Sequence, residues 1–165
     1  MTFVIGENGM DLAMKYGLPA NQIIKTGNWL GPLLVAAAEN GVKKLLLFGY
    51  HGKLIKLSGG VFHTHHHLAD GRIEILTSIA FREGISFDLI ELISKSTSVE
   101  NALLTLEVSN PEAVSLIWSR MAKEIEIKST SYVNRYLSSS MEIGSVLFDR
   151  KRQMRWAGLE GLKQI

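Results

Sequence analysis

The chain has 165 residues, 46% of them hydrophobic, with 18 Lys and Arg against 16 Asp and Glu for a net charge of +2. That supports one packed core and leaves no basic footprint for nucleic acid. The absence of cysteine excludes disulfides, thiolate metal ligands and a cysteine nucleophile. The longest apolar runs, such as 45–48, fall far below the roughly 20 residues a membrane span needs. The opening "MTFVIGENGMD" lacks the basic and apolar regions of a secretory signal. A single, non-membrane, cytoplasmic domain over 1–165 is expected.

Phe3-Val4-Ile5 is a short β-rich run ending at Gly6 and reads as a strand. Met10, Ala13 and Met14 follow at helical spacing, stopped by Gly17 and Pro19. Ile23-Ile24 begins a second strand. Ala- and Leu-rich 33–40 forms a helix starting near Pro32, stopped by Gly41, which leaves 27–31 as loop. The third strand, 44–48, is almost wholly apolar, as expected of one buried on both faces. Beyond Lys53 the chain turns mainly helical, with helices expected at 66–82, 87–93 and 99–106. Asn110-Pro111 caps another helix through Met121, and 132–137 forms a short one. The closing "GSVLFDRKRQMRWAG" reads as a hairpin, with Arg150, Lys151 and Arg152 in a solvated turn.

The fold class is therefore α/β: a short parallel βαβαβ sheet, a helical C-terminal half and a terminal β-hairpin. Parallel strands send the loops "GENG", "TGNWLG" and "GYHGK" to one sheet edge, where open α/β sheets bind ligands. Glycine and asparagine also serve turn geometry alone in such loops.

Four of the five histidines, His63, His65, His66 and His67, crowd one segment. In a helix His63 and His67 share a face while the other two point elsewhere, a poor match to three or four converging zinc ligands; no metal is expected. The alternative is a polar helix start with satisfied histidines. A Walker loop fails because Leu54 follows Lys53, and "GENG" lacks the full dinucleotide spacing. What remains is a polar rim of Asn8, Asn28, Lys53, Lys56, His63, Thr64, His65 and Arg72, suited to an anionic small ligand. Glu7 and Asp70 are the carboxylates there, and no catalytic residue emerges.

Taken in order, "GNWLG" (27–31), "LLLFGYHGKLIKLSGG" (45–60), "FHTH" (62–65), "ADGR" (69–72) and the final "GSVLFDRKRQMRWAG" resemble the later part of the CbiD family. Its members are cobalt-precorrin-5B carbon-1 methyltransferases of anaerobic cobalamin biosynthesis. Two departures stand out. Tyr50-His51 replaces the family's usual His-Ile, and His66 and His67 stand where Ser and a basic residue are common. The family's first half has no counterpart, so the resemblance implies the C-terminal part of a longer enzyme, with that missing half or a second copy as partner.

The implied chemistry is methyl transfer from S-adenosylmethionine to a cobalt-bound tetrapyrrole. On that reading Gly6, Asn8, Gly9, Gly27, Asn28 and Gly49 face the cofactor. Lys53, Lys56, His63, Thr64, His65, Asp70 and Arg72 hold the tetrapyrrole, largely through its carboxylates. The alternative is a non-catalytic α/β binding fragment that needs the missing half for turnover.

Overall fold

The computed structural model describes residues 1–6, 9–65, 67–68 and 70–165. In chain order its elements are β1 (Thr2–Ile5), α1 (Met10–Lys15), a 3₁₀ turn (Ala20–Gln22), β2 (Ile23–Thr26), α2 (Leu30–Glu39), β3 (Lys44–Tyr50) and α3 (His51–Ser58). Then follow α4 (Arg72–Arg82), α5 (Phe87–Ser94), α6 (Val99–Ser109), α7 (Pro111–Val133), β4 (Glu142–Phe148), β5 (Met154–Ala157) and α8 (Leu159–Leu162).

The strands form a sheet in the order β2-β1-β3-β4-β5. The β1–β2, β1–β3 and β3–β4 pairs are parallel, and β4–β5 is antiparallel. The expected parallel βαβαβ core and terminal hairpin are both present. The first arm of the hairpin is also a fourth parallel strand.

Period-two alternation divides β3 between two cores. Leu45 and Leu47 face the helical layer of α2 to α7, while Leu46 and Phe48 face α1. Both faces are dry, so the strand is apolar throughout. The axis of the helical layer is α7, whose 23 residues span about 34 Å at 1.5 Å per residue. The Asn110 side chain caps it by accepting from Ala113 N at 3.0 Å, with Pro111 opening its first turn.

Four expectations need correction. Helix α2 starts at Leu30, before Pro32, because Leu30 N and Gly31 N find an acceptor in the Phe62 carbonyl at 3.0 and 3.3 Å. Helix α4 begins at Arg72 and not at 66, since Gly71 sits in the left-handed region at φ +61° and interrupts any earlier turn. No separate helix covers 132–137; α7 runs on to Val133, its buried stripe continuing through Ile125, Ser129 and Val133. The "GYHGK" loop is absent: Gly49 and Tyr50 end β3, and His51 opens α3.

The short helix α8 was not foreseen from the sequence. It takes over where β5 stops and covers the β4 edge at Gly144 and Ser145, where any Cβ on Gly144 would stand 2.6 Å from Gly161 N. A buried carboxylate on α7 fastens it: Glu126 accepts from Ser145 N and Gly161 N, each at 3.0 Å, and from Glu160 N at 3.3 Å. Among the described residues no helix is long and apolar enough to cross a membrane.

Candidate functional site

Register fixes where the loops emerge. Ile5 pairs with Thr26 and Gly49, and Tyr50 pairs with Phe148. The carboxyl ends of four parallel strands therefore share one edge. Chain order reverses between β1 and β3, because β2 was laid to one side of β1 and β3 to the other. In open α/β sheets a crevice at that reversal, beyond the strand ends, is the usual ligand site.

A cavity of about 480 Å³ opens there. Ile5 and Gly6 at the end of β1, Tyr50 and Lys53 from β3 and α3, and Phe148, Asp149, Arg150 and Arg152 at and beyond the end of β4 contribute its walls. Gly6 has φ +98°, and a Cβ at that position would stand 3.5 Å from Lys53 Nζ. Glycine here lets the β1 turn and the lysine approach one another. Arg150 Nε donates to the Tyr50 hydroxyl at 3.2 Å. Arg152, itself at φ +62°, pairs with Asp11 on α1, and this contact holds the Asp11 carboxyl below its ordinary range. The carboxylate on this wall is already engaged. Asp149 accepts from Gln153 N at 2.9 Å and lies 3.5 Å from Arg155 Nη1. Lys53 and Arg150 thus give the cavity a cationic wall, extended by Arg152, whose charge is shared with Asp11.

The histidine-rich stretch is a strap laid along the same edge. At one end it is pinned to the exit of β2: Thr64 N donates to Asn28 O at 2.9 Å, and Thr64 Oγ1 donates to Asn28 Oδ1 at 2.9 Å. His63 meets Trp29 edge-to-face at 4.4 Å between ring centroids, and Trp29 is 66% exposed. At the other end Arg72 Nη2 donates to Asp70 Oδ2 at 2.8 Å. Arg72 lies close enough to Tyr50 and Arg150 to interact electrostatically with both. The guanidinium hydrogen bond, chiefly, holds the Asp70 carboxyl down at about 2.

Lys56 does not stand on the open rim as expected. Leu54, Ile55, Lys56 and Leu57 are all buried, so α3 has no solvent face at that turn, and Lys56 Nζ donates to the His65 carbonyl at 3.3 Å beneath the strap. Burial lowers its pKa, with the Asp70 charge acting in opposition.

Of the remaining residues singled out above, Gly6 and Lys53 meet in the cavity. Asn28, His63 and Thr64 meet at the β2 exit. Gly27 is open, with nothing within 4 Å of a Cβ built on it. Gly49 is buried inside β3, where a Cβ would press on Ile5 and Leu54 at 3.1 Å, and at Gly9 it would meet Val4 Cγ1 at 2.6 Å. Both are packing glycines. Asn8, Glu7 and His66 lie outside the described residues. His65 and His67 stack with centroids 5.1 Å apart; among the described residues no group of three or more His, Asp or Glu is placed to hold a metal ion.

Sequence reasoning missed Tyr50, Asp149, Arg150 and Arg152. The signal was present: "SVLF" before a polar turn repeats the pattern of "LLLF" before "GYHGK". A second strand of that kind, laid parallel, delivers its turn to the same edge.

The family model described as "CbiD, C-terminal domain" matches residues 63–158. Curated relatives named cobalt-precorrin-5B C(1)-methyltransferase include those of Prochlorococcus marinus strain NATL2A, 99% identical, and strain MIT 9313, 56% identical, both over the whole chain. The chain spans 43% of the length of each of these relatives. No solved structure matches it.

Proposed function

The chain belongs to the CbiD family, and from that premise we propose that it forms the ligand-binding edge of a cytoplasmic enzyme. That enzyme methylates carbon 1 of the tetrapyrrole cobalt-precorrin-5B, with S-adenosylmethionine as donor. The observation that carries this reading is the cavity of about 480 Å³ at the chain-order reversal, walled by Lys53, Arg150 and Arg152. Its size lies within the range of small-molecule sites, and its charge suits a macrocycle fringed with acetate and propionate groups.

The residues present fit the donor as well. Gly27 leaves backbone uncovered at the exit of β2, with Asn28 next to it, and Gly6 turns the chain in the left-handed region at the exit of β1. Gly6, Gly27 and Asn28 would hold it. Bound there, S-adenosylmethionine supplies a methyl group on a sulfonium that is already a strong electrophile.

The chain's own part is positional. Lys53, Arg72, Arg150 and Arg152 pair with substrate carboxylates through charge-assisted hydrogen bonds. Asp70 keeps the Arg72 fork oriented. His63 and Thr64, pinned to Trp29 and Asn28, line the β2 end of the ligand-binding edge. Aligning two reactants in this way is worth about 7–11 kcal/mol of barrier.

The test is calorimetry with S-adenosylhomocysteine and a Soret titration with uroporphyrin, an octacarboxylate porphyrin. Lys53→Met is expected to weaken uroporphyrin at least about tenfold, equivalent to about 1.4 kcal/mol, and to leave S-adenosylhomocysteine unchanged. Equal uroporphyrin affinity would remove Lys53 from the substrate site. A second reading, a binding fragment without turnover of its own, is favoured by one observation: the chain spans 43% of its relatives. Binding by this chain with methyl transfer only by the full-length enzyme would select it.

A further inference from the structure

Behind Arg150 on the cavity wall lies a polar group of side chains, Tyr50, His51 and Glu100, to which the reading above gives no part. His51 is 1% exposed, and its Nε2 stands 2.6 Å from Glu100 Oε2. Its ring meets Trp118 edge-to-face at 5.0 Å. Burial, chiefly, with the nearby Glu100 charge, keeps the Tyr50 hydroxyl protonated by raising its pKa, and the Tyr50 oxygen accepts from Arg150 Nε at 3.2 Å.

The direction of this chain is fixed by chemistry. A guanidinium only donates, so the phenol oxygen must accept from it. The ring itself has one place to lie. A Cβ on Gly52 would stand 2.4 Å from Tyr50 Cε1 and 2.9 Å from its hydroxyl oxygen, so the phenol occupies space that only glycine leaves open. Gly52 below and Arg150 in front thus hold one side chain in place.

We propose that Tyr50 is a positioning residue: it holds the Arg150 guanidinium against the cavity wall, oriented in advance for a carboxylate ligand. Arg150 is exposed on a turn, and an unrestrained arginine there must be ordered when ligand binds. Prior ordering removes that cost. The proposal rests on the reading of the cavity as a carboxylate site.

The test uses the whole chain, uroporphyrin as probe, and the variants Tyr50→Phe, Arg150→Met and their double. Tyr50→Phe keeps the ring over Gly52 and loses only the hydroxyl. It is expected to weaken uroporphyrin about three- to tenfold. In the double variant affinity is expected to equal that of Arg150→Met alone, because the hydroxyl acts only through the arginine. The Arg150 Hε resonance is expected to move towards the free-arginine position in Tyr50→Phe with the melting temperature held, a change that loss of packing alone does not produce. An unshifted resonance, or losses that add in the double, overturns the proposal. If Lys53→Met and Arg150→Met both bind as tightly as the parent chain, the carboxylate reading itself fails, whatever Tyr50→Phe does.

Discussion

Glu126→Ala tests whether the architecture that delivers Arg150 and Arg152 to the cavity depends on one buried carboxylate. Glu126 is 8% exposed and is the acceptor for Ser145 N, Gly161 N and Glu160 N at 3.0, 3.0 and 3.3 Å. Truncation strands three backbone donors, each costing about 1–3 kcal/mol when left unsatisfied away from water. Relief from burying an ion returns part of that, for a net loss of about 3–5 kcal/mol. In a chain of this size the melting temperature should fall by about 10 °C.

Burial raises the Glu126 pKa, outweighing the three amides that lower it. The folded state therefore holds this proton to higher pH than the unfolded chain does. Stability contributed by Glu126 falls as pH rises from 4.5 through the folded-state value, and that slope should vanish in Glu126→Ala. Urea unfolding across pH 4–8 measures both quantities. A loss below about 1 kcal/mol, the size of an ordinary substitution, would refute the view that α8 is clipped by this side chain.

Three further outcomes are expected. Burial holds the His51 pKa below 6.5 against the pull of Glu100 and Asp149, with Arg155 acting in the same direction as burial. The unfolded chain thus takes the proton first, stability from this group is complete above 6.5, and it declines as pH falls below that value; an imidazole titrating in NMR at or above 6.5 contradicts this. The Asp70 carboxyl should titrate near 2 in NMR, and any ordering it gives the strap should be lost only as pH falls from about 4 towards that midpoint; Arg72→Met should return the midpoint to the usual carboxylate range. Gly71→Ala should cost about 1 kcal/mol in chemical denaturation, from φ +61° alone, since nothing lies within 4 Å of the added Cβ.

The βαβαβ half was legible because each strand is bounded by its own turn residues, and β3 is apolar on both faces. What stayed hidden depends on partners remote in sequence. Residues 142–148 look like the arm of a hairpin and are one, but their parallel pairing with 44–50 leaves no local mark. Arg150 and Arg152 read as a solvated turn because charged turns usually are; only the direction of β4 turns them towards Lys53. Lys56 was misplaced for a related reason. A lysine among Leu54, Ile55 and Leu57 looks like the polar side of a helix, and the strap that covers it comes from the next ten residues. Of the described histidines in that stretch, His63 packs on Trp29 and His65 on His67, and among the described residues no three are placed to hold a metal ion.

The parallel contact between β3 and β4 also sets an order of events during synthesis. Almost a hundred residues separate the two strands, so a nascent chain that has built β1, α1, β2, α2 and β3 still presents one bare flank of its most apolar strand. Such a flank is a template for unwanted pairing, and closing so distant a contact is slow. The pocket comes into being only with the late arrival of β4, and a ribosome stalled before residue 142 would leave a sticky, ligand-blind intermediate.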